Sequence, residues 1–449
     1  MSEASTFASD PHMSAWVAAN AGAGKTFTLA NRVARLLLAD ARPEKILCLT
    51  FTKAAAAEMQ HRLFKQLGEW SMLPDDVLSA KIAEIGAIPD DLPKARRLFA
   101  KALETPGGLK VLTLHAFCQL VLTRFPIEAG VTPGFEVLDD AAARALVADA
   151  RQKVLERAGT GDARLADAIA YLAIEKGEPR LNDTLAAALG NDRRKMDRFF
   201  ETLNGRDFED AVWRAHGIAP DWDGAKEFCA ALRREIETLK TVGDWLAASK
   251  AATDIKSAAY LARFILLPED GFSHLEEWFL TDAGKPKQKL ATKALADARP
   301  DLLSYLTALQ TRFCGVEDQR RAARAARLTN ASLTLIAAVR RDYARVKERR
   351  GVLDYDDLIV KTLALLEKGD AAQWVLYKLD NGIDHILIDE AQDTSPEQWR
   401  IVKKLAEEFF AGESRGHASR TLFAVGDEKQ SIFSFQGADP SQFDIHRQH

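Results

Sequence analysis

Ala19-Asn20-Ala21-Gly22-Ala23-Gly24-Lys25-Thr26, read together with Asp389-Glu390-Ala391-Gln392-Asp393 far downstream, decides how this chain is organised. The octet fits a phosphate-binding loop with Ala in place of the leading Gly. It follows an apolar run at 15–18 and precedes a helix-like stretch at 27–38, the strand–loop–helix context such a loop needs. Small residues let backbone N–H groups turn inward, and the helix N-terminus adds partial positive charge for phosphates. In that reading Lys25 reaches the terminal phosphates of a nucleotide and the Thr26 hydroxyl holds Mg²⁺.

Beyond this loop, four further apolar runs at 46–50, 111–114, 386–388 and 422–425 read as buried strands. Helical patterns such as 54–67 and 398–409 lie between or after them. Strands alternating with helices imply an α/β fold, a parallel sheet with helices on both faces. Its chemistry should gather at the carboxyl ends of the strands. The strands fall in two blocks, before about residue 125 and after about residue 380. Between them lies an Ala/Leu/Arg/Glu-rich region with little strand pattern, so the sheet domain is interrupted by a large all-α insertion. From Arg320 to Arg350 that region carries ten basic and two acidic residues. This is either a solvated helix face or a rail for a phosphate backbone.

The run His385-Ile386-Leu387-Ile388-Asp389-Glu390 is an apolar strand ending in two carboxylates. Asp389 can organise the Mg²⁺ shell there, and Glu390 can accept a proton from an attacking water. Phosphoryl transfer needs positioning and charge neutralisation more than covalent help. The competing reading is an acidic helix cap. In the third element, from Val425 to Ala438, Gln430 is a candidate sensor of the terminal phosphate. Phe433 and Phe435 offer faces for base stacking, although two phenylalanines at this spacing also suit ordinary packing.

Bulk properties narrow the class. The 449 residues carry a net charge of −4 and are 47% hydrophobic, an ordinary globular composition that argues against a uniformly basic nucleic-acid binder. Cys48, Cys118, Cys229 and Cys314 are scattered without a CxxC pair. That spacing supports neither a zinc site nor a disulfide framework. MSEASTFASD lacks the layout of a signal peptide, and no apolar run reaches membrane-spanning length. The expectation is a soluble cytoplasmic protein with no membrane partner.

Several segments together carry a family resemblance. Thr50-Phe51-Thr52-Lys53-Ala54-Ala55-Ala56-Ala57-Glu58-Met59 looks like the TFTxxAAxEM segment of superfamily 1 DNA helicases, the UvrD/Rep/PcrA group. Thr113-Leu114-His115-Ala116-Phe117, Asp354-Tyr355-Asp356-Asp357-Leu358 and the DEAQD and GDEKQSIFSFQGA stretches match that group in the same order. LETPGGLKVLTLHAFCQ (Leu103 to Gln119) and FPIEAGVTPGFEVLD (Phe125 to Asp139) resemble the AddA subunits of bacterial AddAB-type helicase–nucleases, RecBCD-like machines that process double-strand breaks.

The resemblance implies an ATP- and Mg²⁺-dependent DNA helicase motor with 3′→5′ polarity. Residues 1–125 and 350–449 would form a P-loop RecA-like domain, and 126–349 an inserted helical subdomain facing duplex DNA. Lys25 and Thr26 would bind nucleotide phosphates and Mg²⁺, Asp389 would organise Mg²⁺, Glu390 would activate water, and Gln430 would couple phosphate state to DNA grip. Thr50, Phe51, Thr52 and His115 would lie along single-stranded DNA, with Phe435 as a stacking aromatic. Asp356 and Asp357 suit a helix cap at least as well as a ligand contact. The partners implied are single-stranded and duplex-end DNA and an AddB-like subunit in a heterodimer. Two departures stand out: no Gln occurs in residues 1–11 to read adenine, and the chain ends at His449. The family's second RecA-like and nuclease domains are therefore expected to be absent. The chain alone is then expected to bind nucleotide weakly and hydrolyse it poorly, or to be a truncated non-catalytic DNA- or partner-binding fragment.

Overall fold

The computed structural model describes residues 3–18, 24–106, 108–190, 193–203, 205–266, 271–367, 369–380, 382–411 and 420–427. Seven strands occur among them: β1 Ala15–Ala18, β2 Ile46–Thr50, β3 Lys110–Thr113, β4 Glu136–Val137, β5 Val352–Leu353, β6 His385–Ile388 and β7 Thr421–Gly426. Five form one parallel sheet in the order β1-β7-β6-β2-β3. Each lies within a residue of an apolar run read from the sequence. The two-residue strands β4 and β5 pair in parallel as a separate ribbon and carry no such run.

Side chains alternate across this sheet between two buried layers, which is why its strands read as unbroken apolar runs. Ile46 and Cys48 of β2, Leu387 of β6, and Phe423 and Val425 of β7 face one layer. There they meet Leu29, Val33, Met59, Leu63 and Leu98, from helices Lys25–Leu38, Lys53–Met72 and Leu92–Glu104. Leu47, Leu49, Ile386, Ile388 and Ala424 face the other layer, with Phe117, Val121, Ile359, Val375 and Trp399. Those residues come from helices Leu114–Arg124, Tyr355–Glu367, Gly369–Asp380 and Pro396–Ala411. Each fully buried side chain of this size contributes roughly 1.5–3 kcal/mol, so both faces hold the sheet.

Two compact units divide the chain, residues 1–151 with 341–449, and residues 152–340. The first contains the sheet. The second is helical, its core built on Phe228, Leu239, Leu261, Phe264, Trp278 and Phe313. Within it Asp254 is buried and accepts hydrogen bonds from Ser249 Oγ, Thr292 N and Thr292 Oγ1, which staples the loop before helix Lys293–Ala298.

The basic run between 320 and 350 lies on helix Pro300–Arg350, and six of its ten basic residues are engaged internally. Arg320 pairs with Glu276 and Glu317, Arg321 with Glu317, Arg324 with Glu175, Arg340 with Asp197, Arg345 with Asp342, and Lys347 with Asp354 and Asp357. A continuous rail for a phosphate backbone is therefore not what this helix presents; carboxylates take up most of its charge. Among the described residues no helix is long and apolar enough to cross a membrane.

Candidate active site

The site lies at the carboxyl ends of β1, β6, β7 and β2. Gly24 caps helix Lys25–Leu38 from a left-handed conformation, φ 79° and ψ 27°, where glycine carries no Cβ penalty. Its carbonyl accepts from Thr28 N (2.9 Å) and Thr28 Oγ1 (3.2 Å), so the chain turns sharply into the helix. Ala19, Asn20, Ala21, Gly22 and Ala23, which complete the loop in sequence, lie outside the described residues, as do Gln430, Phe433 and Phe435.

Lys25 starts that helix and Glu390 follows β6, 365 residues later, and their side chains meet at 3.0 Å. Glu390 has φ 50° and ψ 48°, a left-handed conformation that costs a non-glycine residue roughly 1–3 kcal/mol. Its backbone N–H donates to Asp389 Oδ1 (3.1 Å), and its Oε2 accepts from Gln392 Nε2 (2.7 Å) as well as from Lys25. Asp389 is buried, 5% exposed, and its own N–H donates to Leu49 O of β2 (2.9 Å). Burial, and then the charge of Glu390, push its carboxyl up to about 6. This is a carboxylate short of positive charge, the condition a bound cation relieves.

Among the described residues no group of three His, Cys, Asp or Glu side chains converges to hold a metal. A single buried carboxylate instead suits Mg²⁺, which keeps waters and takes its remaining oxygens from nucleotide phosphates. Asp389, and the Thr26 hydroxyl that follows Lys25 in sequence, offer oxygens of the kind this ion takes, and Lys25 offers a cation for the phosphates.

Thr50, Phe51 and His115 line one small pocket of about 20 Å³ with Asp389, Thr394 and Gln398. Three of the residues expected on single-stranded DNA, Thr50, Phe51 and His115, therefore neighbour Asp389. Thr52 caps helix Lys53–Met72, its hydroxyl oxygen accepting from Ala55 N (3.0 Å), while its carbonyl accepts from Thr50 Oγ1 (3.1 Å). Thr113 caps the helix that carries His115 in the same way, through Ala116 N (3.1 Å).

Three features were missed in the sequence, and a fourth, a helix cap, was only weighed there. His115 meets Tyr355 edge to face, with centroids 5.6 Å apart. Asp354 and Asp357 form a reciprocal cap of helix Tyr355–Glu367: Asp354 N donates to Asp357 Oδ2 (3.1 Å) and Asp357 N to Asp354 Oδ1 (2.9 Å). Buried Lys347 neutralises both carboxylates, and Tyr343 Oη donates to Asp354 (2.8 Å). Asp357 thus has the capping role weighed for it.

Fully buried Arg32 donates to the carbonyls of Ala8, Asp10 and Met13 and lies 4.9 Å from the Phe423 ring centre, strapping residues 8–13 to the phosphate-loop helix. Burial lowers its pKa to about 10, so it stays charged at neutral pH. Ser395 and Gln398 form a capping box for helix Pro396–Ala411, which its S-x-x-Q spacing could have signalled.

Comparison with known proteins places this geometry. The chain is 28% identical to the A subunit of the ATP-dependent helicase/nuclease of Latilactobacillus sakei, over 95% of this chain and 48% of that protein. It is 26% identical to the protein of the same description in Pelotomaculum thermopropionicum, over 95% and 34%. It is also 26% identical to the RecB subunit of the RecBCD enzyme of Escherichia coli, over 94% and 34%. The chain thus spans between about a third and a half of the length of these curated relatives. The family profile described as the UvrD/REP helicase N-terminal domain matches residues 2–449. With that match added to the parallel sheet and the Lys25–Glu390 pair at its carboxyl edge, the chain belongs to the UvrD/REP helicase family.

Proposed function

We propose that this chain is the ATP-hydrolysing motor region of an AddA-like subunit, moving 3′→5′ along single-stranded DNA entered from a duplex end. The observation that carries this reading is the meeting of Lys25 with Glu390 beside buried Asp389, next to the pocket lined by Thr50, Phe51 and His115. Bound Mg-ATP supplies the phosphoryl group and the cation that neutralises its developing charge. Lys25 would leave Glu390 for the terminal phosphates, and Thr26 and Asp389 would hold the metal. Glu390, released from Lys25, accepts the proton of the attacking water.

Residues 1–125 and 350–449 act in this scheme as the first RecA-like domain, and 126–349 as the inserted subdomain facing duplex DNA. The names of the similar proteins, each a subunit of a larger enzyme, support a partner subunit; in this proposal that partner is AddB-like and the complex serves double-strand break repair. Glu390 is 36% exposed on its side chain, so the site is open on one side. Turnover by these residues alone is expected to be slow until a second wall excludes water and brings further positive charge to the phosphates.

The test is ATPase activity of the 449-residue chain with and without single-stranded DNA, beside Lys25→Ala. We expect weak, DNA-stimulated, salt-sensitive turnover that the substitution abolishes. Turnover that survives Lys25→Ala would refute the reading.

A further inference from the structure

The exits of β6 and β7 are joined by one side chain. Gln392 is 1% exposed; its Nε2 donates to Glu390 Oε2 (2.7 Å) and its Oε1 accepts from Asp427 N (2.8 Å) at the end of β7. The amide thus holds the same carboxylate oxygen that Lys25 holds. At its other end it holds backbone three residues before Gln430 in sequence. A glutamine kept only for packing would have no reason to bind the one carboxylate that must change partners when phosphate arrives. Gln398, buried nearby, illustrates the structural use: it bonds reciprocally with Ser395 and closes a helix cap.

We propose that Gln392 is a positioning residue that sets the Glu390 carboxylate for proton acceptance and passes the state of that carboxylate to the backbone leaving β7. This rests on the nucleotide-site reading above. When Lys25 turns to phosphate, Glu390 loses a charged partner and keeps an uncharged one. Gln392 is then the remaining constraint on where the Glu390 oxygen points, against a backbone conformation that a glutamate does not favour. Any shift of that oxygen draws on the Gln392 amide, whose other end is fixed to Asp427. The chemistry requires an amide: a carboxylate at 392 could not donate to Glu390, and a hydrocarbon could hold neither end.

The test uses the full chain carrying Gln392→Leu or Gln392→Glu. Both substitutions remove the donor to Glu390, and Gln392→Glu keeps the glutamine's shape while setting two carboxylates against each other. At pH 7 kcat falls about tenfold in Gln392→Leu and at least as far in Gln392→Glu, the scale of losing a partner that orients a functional ligand, while KM for Mg-ATP changes by less than about threefold. A residue that merely fills space would tolerate the isosteric Gln392→Glu better than Gln392→Leu.

A second measurement serves if turnover is too slow to compare. Hydrogen exchange at residues 421–427 should respond to added Mg-ATP in the parent chain and lose that response in Gln392→Leu. A Gln392→Glu chain that turns over faster than Gln392→Leu, or an intact exchange response in Gln392→Leu, with turnover still Lys25-dependent, overturns the role of Gln392 and leaves the nucleotide site standing. A parent chain that neither binds nor hydrolyses Mg-ATP overturns both.

Discussion

Asp389→Asn should make the nucleotide-free protein more stable at neutral pH while removing its capacity to hold Mg²⁺. The Asp389 carboxyl is pushed from 3.8 to about 6, first by burial and then by Glu390. Between those pH values the folded protein holds a proton that the unfolded chain has released. Stability therefore falls as pH rises through this window, and the cost is fully present above about pH 6. At about 1.4 kcal/mol per tenfold change in proton affinity, that cost is about 3 kcal/mol at pH 7. Asparagine keeps an oxygen for the Glu390 N–H, which lies 3.1 Å from Asp389 Oδ1, so the substitution removes charge and little else.

The assay is hydrogen exchange of the β6 amides, read as the free energy of opening that strand, from pH 4 to 8 without nucleotide. His385, at the other end of β6, works in the opposite direction. Burial lowers its pKa to about 4, so its protonation destabilises the fold as pH falls below about 6.5. The parent-minus-variant difference removes that contribution. It should be near zero at pH 4 and grow to about 2–3 kcal/mol in favour of Asp389→Asn above pH 6. A difference that stays flat with pH, or a variant less stable at pH 7, would refute the argument that Asp389 is held ionised at a cost.

Glu390→Gln should lower ATP turnover by about 10²–10⁴-fold, the range for losing a general base, while fluorescent-nucleotide titration still shows binding; unchanged turnover would remove Glu390 from the proton step. Lys347→Met should cost about 3–5 kcal/mol in chemical denaturation, because Asp354 and Asp357 stay buried without their cation. Adding Asp354→Asn and Asp357→Asn to Lys347→Met should recover part of that loss. Failure to recover any of it would mean that packing, not charge, sets the cost.

The strands, the helix that starts at Lys25 and the acidic pair that follows β6 were legible in the amino-acid order alone, because each is a local pattern. A strand buried on both faces must be apolar throughout, and Gly24 must adopt a conformation that other residues avoid. The Ser395–Gln398 cap was local too, legible in its spacing though passed over. What those pieces do to one another came from the folded chain. The order β1-β7-β6-β2-β3 brings Lys25 to Glu390 across 365 residues, and nothing in either segment encodes the other's position. The same order turns Gln392 from a neighbour of Glu390 into a bridge to β7.

Lys347, read in sequence as one more charge in a basic run, is buried between two carboxylates, and most of the other charges in that run are likewise paired. Side-chain charge is visible in a sequence; whether it faces water or a carboxylate depends on contacts between distant segments, which local propensity does not specify.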